Sequence, residues 1–324
     1  MKAFLHFCKS YLFLASFLIP AIGLAADNYP NKPIRLIVPF EAGGTSDTTA
    51  RMMAKKLEQR LKTTIVVENK PGANGAIATA FVARSPADGY TLLHTTPAFI
   101  INPLLNKKLG YDVFKDFAPI TNLAMGTGYV MVVNSALPVK NLQEFINYGK
   151  TNKISYSSPG VGNALHLASA QFTEYTGLNA LHIPYKGTSP ALLAVASGEV
   201  DFMILPPTIV HSFIASGKVR AVAFTDAQRS PDFPSLPTMQ ESGLKDLNIA
   251  GTWLGWFAPA KTPQPVTQQI AQEIKNVLQD PEMIEFLTTS GFRADGRNPN
   301  DFDKFVKSES KRIEAVLKNV TLNE

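Results

Sequence analysis

Thiols are all but missing from this chain. Its single cysteine, Cys8, lies in an apolar N-terminal stretch and lacks the small residues that precede a lipid-modified cysteine. The rest of the chain therefore has no disulfide, no thiolate nucleophile, no cysteine-held metal and no lipid anchor. Basic runs are missing too: the net charge of +5 falls to +3 once Lys2 and Lys9 are set aside (5 − 2), and it is spread along the chain. That distribution argues against nucleic acid as a partner. Beyond the N-terminal stretch no apolar run approaches the length of a membrane span. His94, His166, His182 and His211 show no metal-ligand spacing, so no metal is expected. With 45% hydrophobic and 18% charged residues the balance is that of a globular protein rather than a disordered one.

What is present begins with Lys2, an apolar run broken by His6 and Lys9, and the small pair Ala25 and Ala26 before Asp27. Residues 1–26 read as a cleaved secretory signal peptide, which predicts export to a bacterial periplasm. A cysteine-free exported chain of this length must take its stability from a large core.

From residue 34 onward, short β-branched runs alternate with amphipathic stretches. Residues 34–38 read as a buried strand, and Ala50, Met53, Ala54, Leu57 and Leu61 then share one helical face. A strand over 64–68, a helix around 75–83 and a strand over 91–94 complete a βαβαβ half with parallel strands. A second α/β set runs from about residue 129 to residue 224. A strand over 252–259 and three helices, near 266–278, 282–289 and 301–320, finish the chain. The spacing predicts crossings near 126 and 252, giving lobe 1 from residues 27–126 plus 253–324 and lobe 2 from residues 127–252. Two lobes joined by two crossings make a clamshell with a cleft.

The sharpest local pattern, Val38-Pro39-Phe40-Glu41-Ala42-Gly43-Gly44-Thr45-Ser46-Asp47, stands where a strand ends and the first long helix begins. Glycines there let backbone approach a ligand, and the free N–H groups of a helix start favour an anion. An ordinary tight turn, with Ser46 or Asp47 as helix cap, explains the same residues, and both readings stay open. The loop lacks the lysine of a phosphate-binding P-loop and does not match GxGxxG. Similar turns occur at residues 70–75, at residues 157–163 just before His166, and at residues 184–189, which include Lys186. Phe40, Phe99, Tyr129 and Trp256 are candidates to stack on a ring in the cleft, whereas His94 and His182 fall in strands and read as packed or solvent-facing. Catalytic groups are sparse: Gly187-Thr188-Ser189-Pro190-Ala191 only half resembles the GxSxG elbow, and no serine pairs with a histidine in the sequence pattern.

Longer motifs carry a family resemblance. They are Tyr29-Pro30-Asn31-Lys32-Pro33-Ile34-Arg35, residues 39–47, Glu68-Asn69-Lys70-Pro71-Gly72-Ala73-Asn74-Gly75, Pro86-Ala87-Asp88-Gly89-Tyr90-Thr91-Leu92-Leu93, residues 158–166, Tyr185-Lys186-Gly187, Gly198-Glu199-Val200 and Phe257-Ala258-Pro259. Over essentially its whole length the chain resembles the Bug family, the extracytoplasmic receptors of tripartite tricarboxylate transporters. The resemblance implies an α/β, two-lobed periplasmic-binding-protein fold of type II-like topology, each lobe a sheet flanked by helices with the ligand cleft between them. It implies a receptor for a small organic carboxylate that hands its ligand transiently to membrane transporter subunits, with no catalysis and no cofactor. A monomer is expected. The implied ligand-binding residues are Phe40, Gly43, Gly44 and Asp47 with the turn Thr95 and Thr96 from lobe 1. From lobe 2 they are Ser158, Gly160, Gly162 and Asn163 with His166, together with Lys186 and Gly187.

Two departures bear on the ligand. Relatives commonly carry Phe-Asp where this chain has Ile204 and Leu205, and Asn163 stands where serine is frequent. Without an acceptor at Leu205, a ligand ammonium or hydroxyl at that end would go unpaired. The expectation is a carboxylate with an aromatic or otherwise apolar body. A ligand sensor feeding a signalling system is the alternative within the binding class, and an exported α/β hydrolase the alternative outside it.

Overall fold

Ile34–Val38 (β1) is apolar at nearly every position because it is covered on both faces, as a central parallel strand must be. In the computed structural model, which describes residues 29–247, 249 and 251–319, it is followed by α1 (Thr45–Leu61), β2 (Ile65–Asn69), α2 (Ala76–Ala83), β3 (Thr91–Thr95), α3 (Ala98–Leu105) and β4 (Phe117–Gly126). Next come β5 (Val130–Asn134), α4 (Leu142–Thr151), β6 (Ile154–Ser158), α5 (Ala164–Thr176), β7 (Ala180–Pro184), α6 (Thr188–Ser197), β8 (Phe202–Leu205), α7 (Pro207–Ala215) and β9 (Val219–Phe224). The last described elements are β10 (Trp253–Pro259), α8 (Gln264–Val277), α9 (Pro281–Thr289), β11 (Phe292–Ala294) and α10 (Pro299–Asn319). The signal segment expected over 1–26 lies outside the described residues.

The strands form two sheets, ordered β11-β4-β10-β3-β1-β2 and β7-β6-β8-β5-β9. β1 runs parallel to β2 and β3, while β10 pairs antiparallel with β3 and β4. In the second sheet β6 is parallel to β7 and β8, and β5 is antiparallel to β8 and β9. The fold is thus α/β and two-lobed. In the first sheet the chain steps outward from β1 to β2 and then back across to β3. In the second it steps from β6 to β7 and back to β8. Each reversal opens a crevice beyond the carboxyl ends of the strands, which is where open α/β sheets bind ligands.

Helix ends follow local chemistry. Asn141 caps α4 by accepting from the Glu144 N–H, and Glu144 reaches back to the Lys140 N–H. Asp280 caps α9 ahead of Pro281. α3, β4 and β11 have no counterpart in the sequence reading. Pro103 and Asn102 interrupt the apolar pattern of α3, and Pro119, Thr121 and Asn122 interrupt that of β4. Thr121 and Asn122 are buried because Arg297 and Asp295 supply partners from the distant C-terminal segment.

Between β4 and β5, and again before β10, the chain passes from one sheet to the other. The crossing backbones touch: the Gly126 N–H donates to the Thr252 carbonyl at 2.7 Å. A Cβ on Gly251 would stand 2.6 Å from the Gly126 oxygen, so glycine is required at this joint. α3, α5 and α10 pack together beside it, and Leu167 of α5 joins the core that holds Phe99, Trp253 and Phe302. Lobe 2 has its own core around Phe145, Phe172 and Phe202.

Candidate functional site

The loop after β1 is held by one carboxylate. Asp47 is buried, and its Oδ2 accepts from the Gly43 N–H at 2.9 Å and from Arg51 Nε at 3.0 Å, while its Oδ1 accepts from Asn69 Nδ2 at 2.8 Å. Asn69 also donates to the Phe40 carbonyl at 3.0 Å and receives a bond from Arg51. Burial alone would raise the Asp47 carboxyl, but the bonds from Arg51, Gly43 and Asn69 outweigh it and hold the group below the usual carboxylate range. Every lone-pair direction of Asp47 used here serves the loop, so it acts as a loop organiser. Gly44 is the N-cap of α1, and among the described residues no side chain caps that helix. Its first amides are therefore open to an anion.

Neighbouring turns join this loop. Gly75 packs against Pro39 and the tip of Phe40, and Asn74 exchanges two hydrogen bonds with Asn102 of α3. Thr95 ends β3, and the Thr96 hydroxyl lies 3.4 Å from the Ala98 amide at the start of α3. Beneath them, Trp256 donates to His94 Nδ1 at 2.9 Å, and full burial pushes that imidazole down to about 3. Phe99, Tyr129 and Trp256 are core residues, so of the candidate stacking aromatics only Phe40 is half-exposed at the loops.

Lobe 2 solves the same problem with different groups. Ser158 closes β6. Its hydroxyl donates to the Gly160 carbonyl at 3.1 Å and accepts from the Gly160 N–H at 3.2 Å. The Gly162 N–H donates to His166 Nδ1 at 3.0 Å, and Asn163 caps α5 by accepting from the Leu165 N–H at 2.9 Å. His166 stacks on His182, with ring centroids 3.8 Å apart and planes 8° apart. Burial, reinforced by the neighbouring imidazole, pushes His166 down to about 4, and burial pushes His182 to about 4 as well. Both rings are neutral near pH 7. The next loop is docked to this one by the Tyr185 N–H, which donates to the Ser158 carbonyl at 2.9 Å. It leads through exposed Lys186 to Gly187, the N-cap of α6, which again has no side-chain cap.

The candidate residues therefore gather into two clusters, residues 40–47 with Thr95 and Thr96, and residues 158–166 with Lys186 and Gly187. Leu205 stands apart from their hydrogen bonds: it ends β8 fully buried in the lobe 2 core. The lobe 2 loop meets α3 of the other lobe, where a Cβ on Gly162 would lie 2.5 Å from Leu105 Cδ1. Adjoining them, between α3, α5 and α10, is a small cavity of about 30 Å³ lined by Pro97, Ile101, Ala164, Leu167 and Tyr129.

Sequence reading missed Arg51, Asn69 and His182. The i,i+4 spacing of Asp47 and Arg51 was an available signal for the first. Nothing in the linear pattern pairs Ser158 with His182, yet the structure sets Ser158 Oγ 2.7 Å from His182 Nε2, because β6 and β7 are parallel neighbours in register. The expectation that no serine has a histidine partner is corrected accordingly.

Comparison with known proteins gives a consistent result. The family model described as Tripartite tricarboxylate transporter family receptor matches residues 49–322. Protein BugT of Bordetella pertussis is 32% identical over 304 residues, covering 92% of this chain and 92% of that protein. A solved structure of the periplasmic binding protein BugD superposes with a TM-score of 0.77 at 36% identity, covering 91% of this chain and 99% of that one. The structure described as R. palustris Rpa4515 with adipate gives a TM-score of 0.79 at 31% identity, covering 90% and 98% respectively.

Proposed function

The chain belongs to the tripartite tricarboxylate transporter receptor family, and from that premise we propose that it is a periplasmic solute receptor that closes its two lobes on a small organic carboxylate. The observation that carries the reading is the pair of glycine-rich strand-to-helix loops whose helices, α1 and α6, start without a side-chain cap. Open helix amides suit an anion, and two of them on separate lobes suit a ligand gripped from both sides. The ligand contacts come from Phe40, Gly43, Gly44, Thr95 and Thr96 in one lobe and from Ser158, Gly160, Gly162, Asn163, His166, Lys186 and Gly187 in the other. Asp47 serves by holding its loop. Leu205 is buried in the lobe 2 core apart from the hydrogen bonds of these loops, so the apolar body we assign to the ligand rests on the absence of an acid at this position and not on a contact. The mature chain begins after a signal over residues 1–26, works as a monomer and meets membrane transporter subunits transiently.

A thermal-shift screen of the mature protein tests this. Adipate or benzoate should raise the melting temperature, the shift growing with the logarithm of ligand concentration above Kd, and aspartate and malate should not. Stabilisation by amino acids or hydroxy acids alone would overturn the apolar-bodied ligand.

The pair Ser158 and His182 brings a hydrolase reading back into view, and its geometry disfavours it. Ser158 is fully buried with its hydroxyl engaged by Gly160, and His182 Nδ1 has no orienting partner among the described residues. The protein is a receptor without catalytic activity. Hydrolysis of p-nitrophenyl acetate that disappears in Ser158→Ala would refute this.

A further inference from the structure

We propose that His182, a residue of β7 outside both ligand loops, is the positioning residue of the lobe 2 site, holding residues 158–163 in one conformation through Ser158 and His166. This rests on the receptor reading only in taking that loop as ligand-binding.

The loop needs holding. Gly160 and Gly162 sit at φ 138° and 73°, conformations available chiefly to glycine, and glycine carries the largest backbone entropy to be lost on ordering. Two side-chain acceptors restrain them: Ser158 Oγ takes the Gly160 N–H, and His166 Nδ1 takes the Gly162 N–H. His182 touches both restraints. Its Nε2 shares a 2.7 Å hydrogen bond with Ser158 Oγ, and its ring lies flat against the His166 ring. Tyr156, its registered neighbour on β6, packs on the imidazole as well, at 5.0 Å between ring centroids. A single side chain thereby fixes both glycines of the turn.

The arrangement also specifies a tautomer. His166 Nδ1 accepts a backbone proton, so the neutral ring carries its own proton on Nε2. Stacking against His182 keeps the ring in the plane from which Nδ1 meets Gly162. β7 continues into the loop that carries Lys186 and Gly187, so one residue couples the two lobe 2 loops. The imidazole supplies both a hydrogen-bonding nitrogen toward Ser158 and an aromatic face toward His166.

The two roles can be separated. His182→Phe keeps the flat face and removes the nitrogen; His182→Gln keeps a polar group and removes the ring. In ligand-free protein, nitrogen-15 NMR should show the His166 Nε2–H tautomer in wild type and in His182→Phe, and a tautomer mixture in His182→Gln. The Gly160 amide should move in His182→Phe and the Gly162 amide in His182→Gln. Each variant should weaken adipate by roughly tenfold, the loss expected for one positioning hydrogen bond. Should either variant fold poorly, Ser158→Ala removes the same bond from the other side; the His182 Nε2 nitrogen-15 shift reports on it, since Ser158 also binds the Gly160 amide directly, and an unchanged His182 shift would overturn the proposal. Unchanged glycine amides and tautomer in both variants would overturn the proposal. If wild type binds no adipate while the NMR changes occur as described, the positioning role stands and it is the ligand assignment that fails.

Discussion

The two lobes face one task, pinning a glycine-rich loop between a parallel strand and a helix, and they use opposite chemistry. Lobe 1 employs an ionised group: Asp47, with Arg51 and Asn69 around it, gathers Gly43 and Phe40. Lobe 2 employs neutral ones: two stacked imidazoles and a serine hydroxyl gather Gly160 and Gly162. The difference follows from what surrounds each loop. Arg51 lies one turn along α1 and stays half-exposed, so the charge of buried Asp47 is balanced by a cation that keeps its own hydration. In lobe 2, His166 is buried against Tyr156 and His182, where no acidic group among the described residues acts on it, so neutral acceptors serve instead. A loop's electrostatic character is therefore set by its nearest helix turn and strand neighbour rather than by its glycines.

The comparison can be broken most forcefully at Asp47. Asp47→Ala leaves Gly43, Asn69 and Arg51 without their acceptor and should cost about 3 kcal/mol of unfolding free energy, measured by urea denaturation, with carboxylate binding abolished. Asp47→Asn, which keeps the shape, should retain part of the stability. A loss below about 0.5 kcal/mol for the alanine variant would mean that the loop is held otherwise.

Next in size is a change at the joint. Gly251→Ala places a methyl against the Gly126 carbonyl and should cost about 2 kcal/mol while leaving each lobe's loop amides at their wild-type NMR positions. Shifts in either loop would show that the crossings and the loops are not independent.

Acid separates the lobes by chemistry. His166 and His182 have folded pKa values lowered to about 4 from 6.5, so the unfolded chain binds protons first as pH falls. Their contribution is complete above pH 6.5 and is lost as pH drops toward 4. Asp47 is also lowered, so its contribution persists until pH falls below the usual carboxylate range. In an amide titration Gly162 should move by pH 4 while Gly43 stays in place. The reverse order would sink the contrast between the lobes. The smallest effect is expected from Asn163→Ala, which removes the α5 cap for about 1 kcal/mol and leaves the Gly162 bond to His166 intact.

Much of the scaffold was legible in the linear pattern. The runs at β1, β2 and β3, the amphipathic face of α1 and the glycine turns before α1, α5 and α6 all signal their elements locally. α3 and β4 did not, because prolines and buried polar residues hide their periods and the partners that satisfy those residues lie up to 176 positions away. The candidate loops were visible as glycine patterns, but their restraints were not. Asn69 reaches Asp47 across 22 residues and His182 reaches Ser158 across 24.

By itself the sequence determined the fold class, the two-lobed plan and the places where a strand hands over to a helix, since these follow from local periodicity and from glycines that tolerate positive φ. Only the tertiary structure decided which side chains hold those loops, that Asp47 is spent on its own loop, and that Ser158 and His182 meet. Those outcomes depend on strand order and register, which bring residues together in space without leaving any mark in their spacing along the chain.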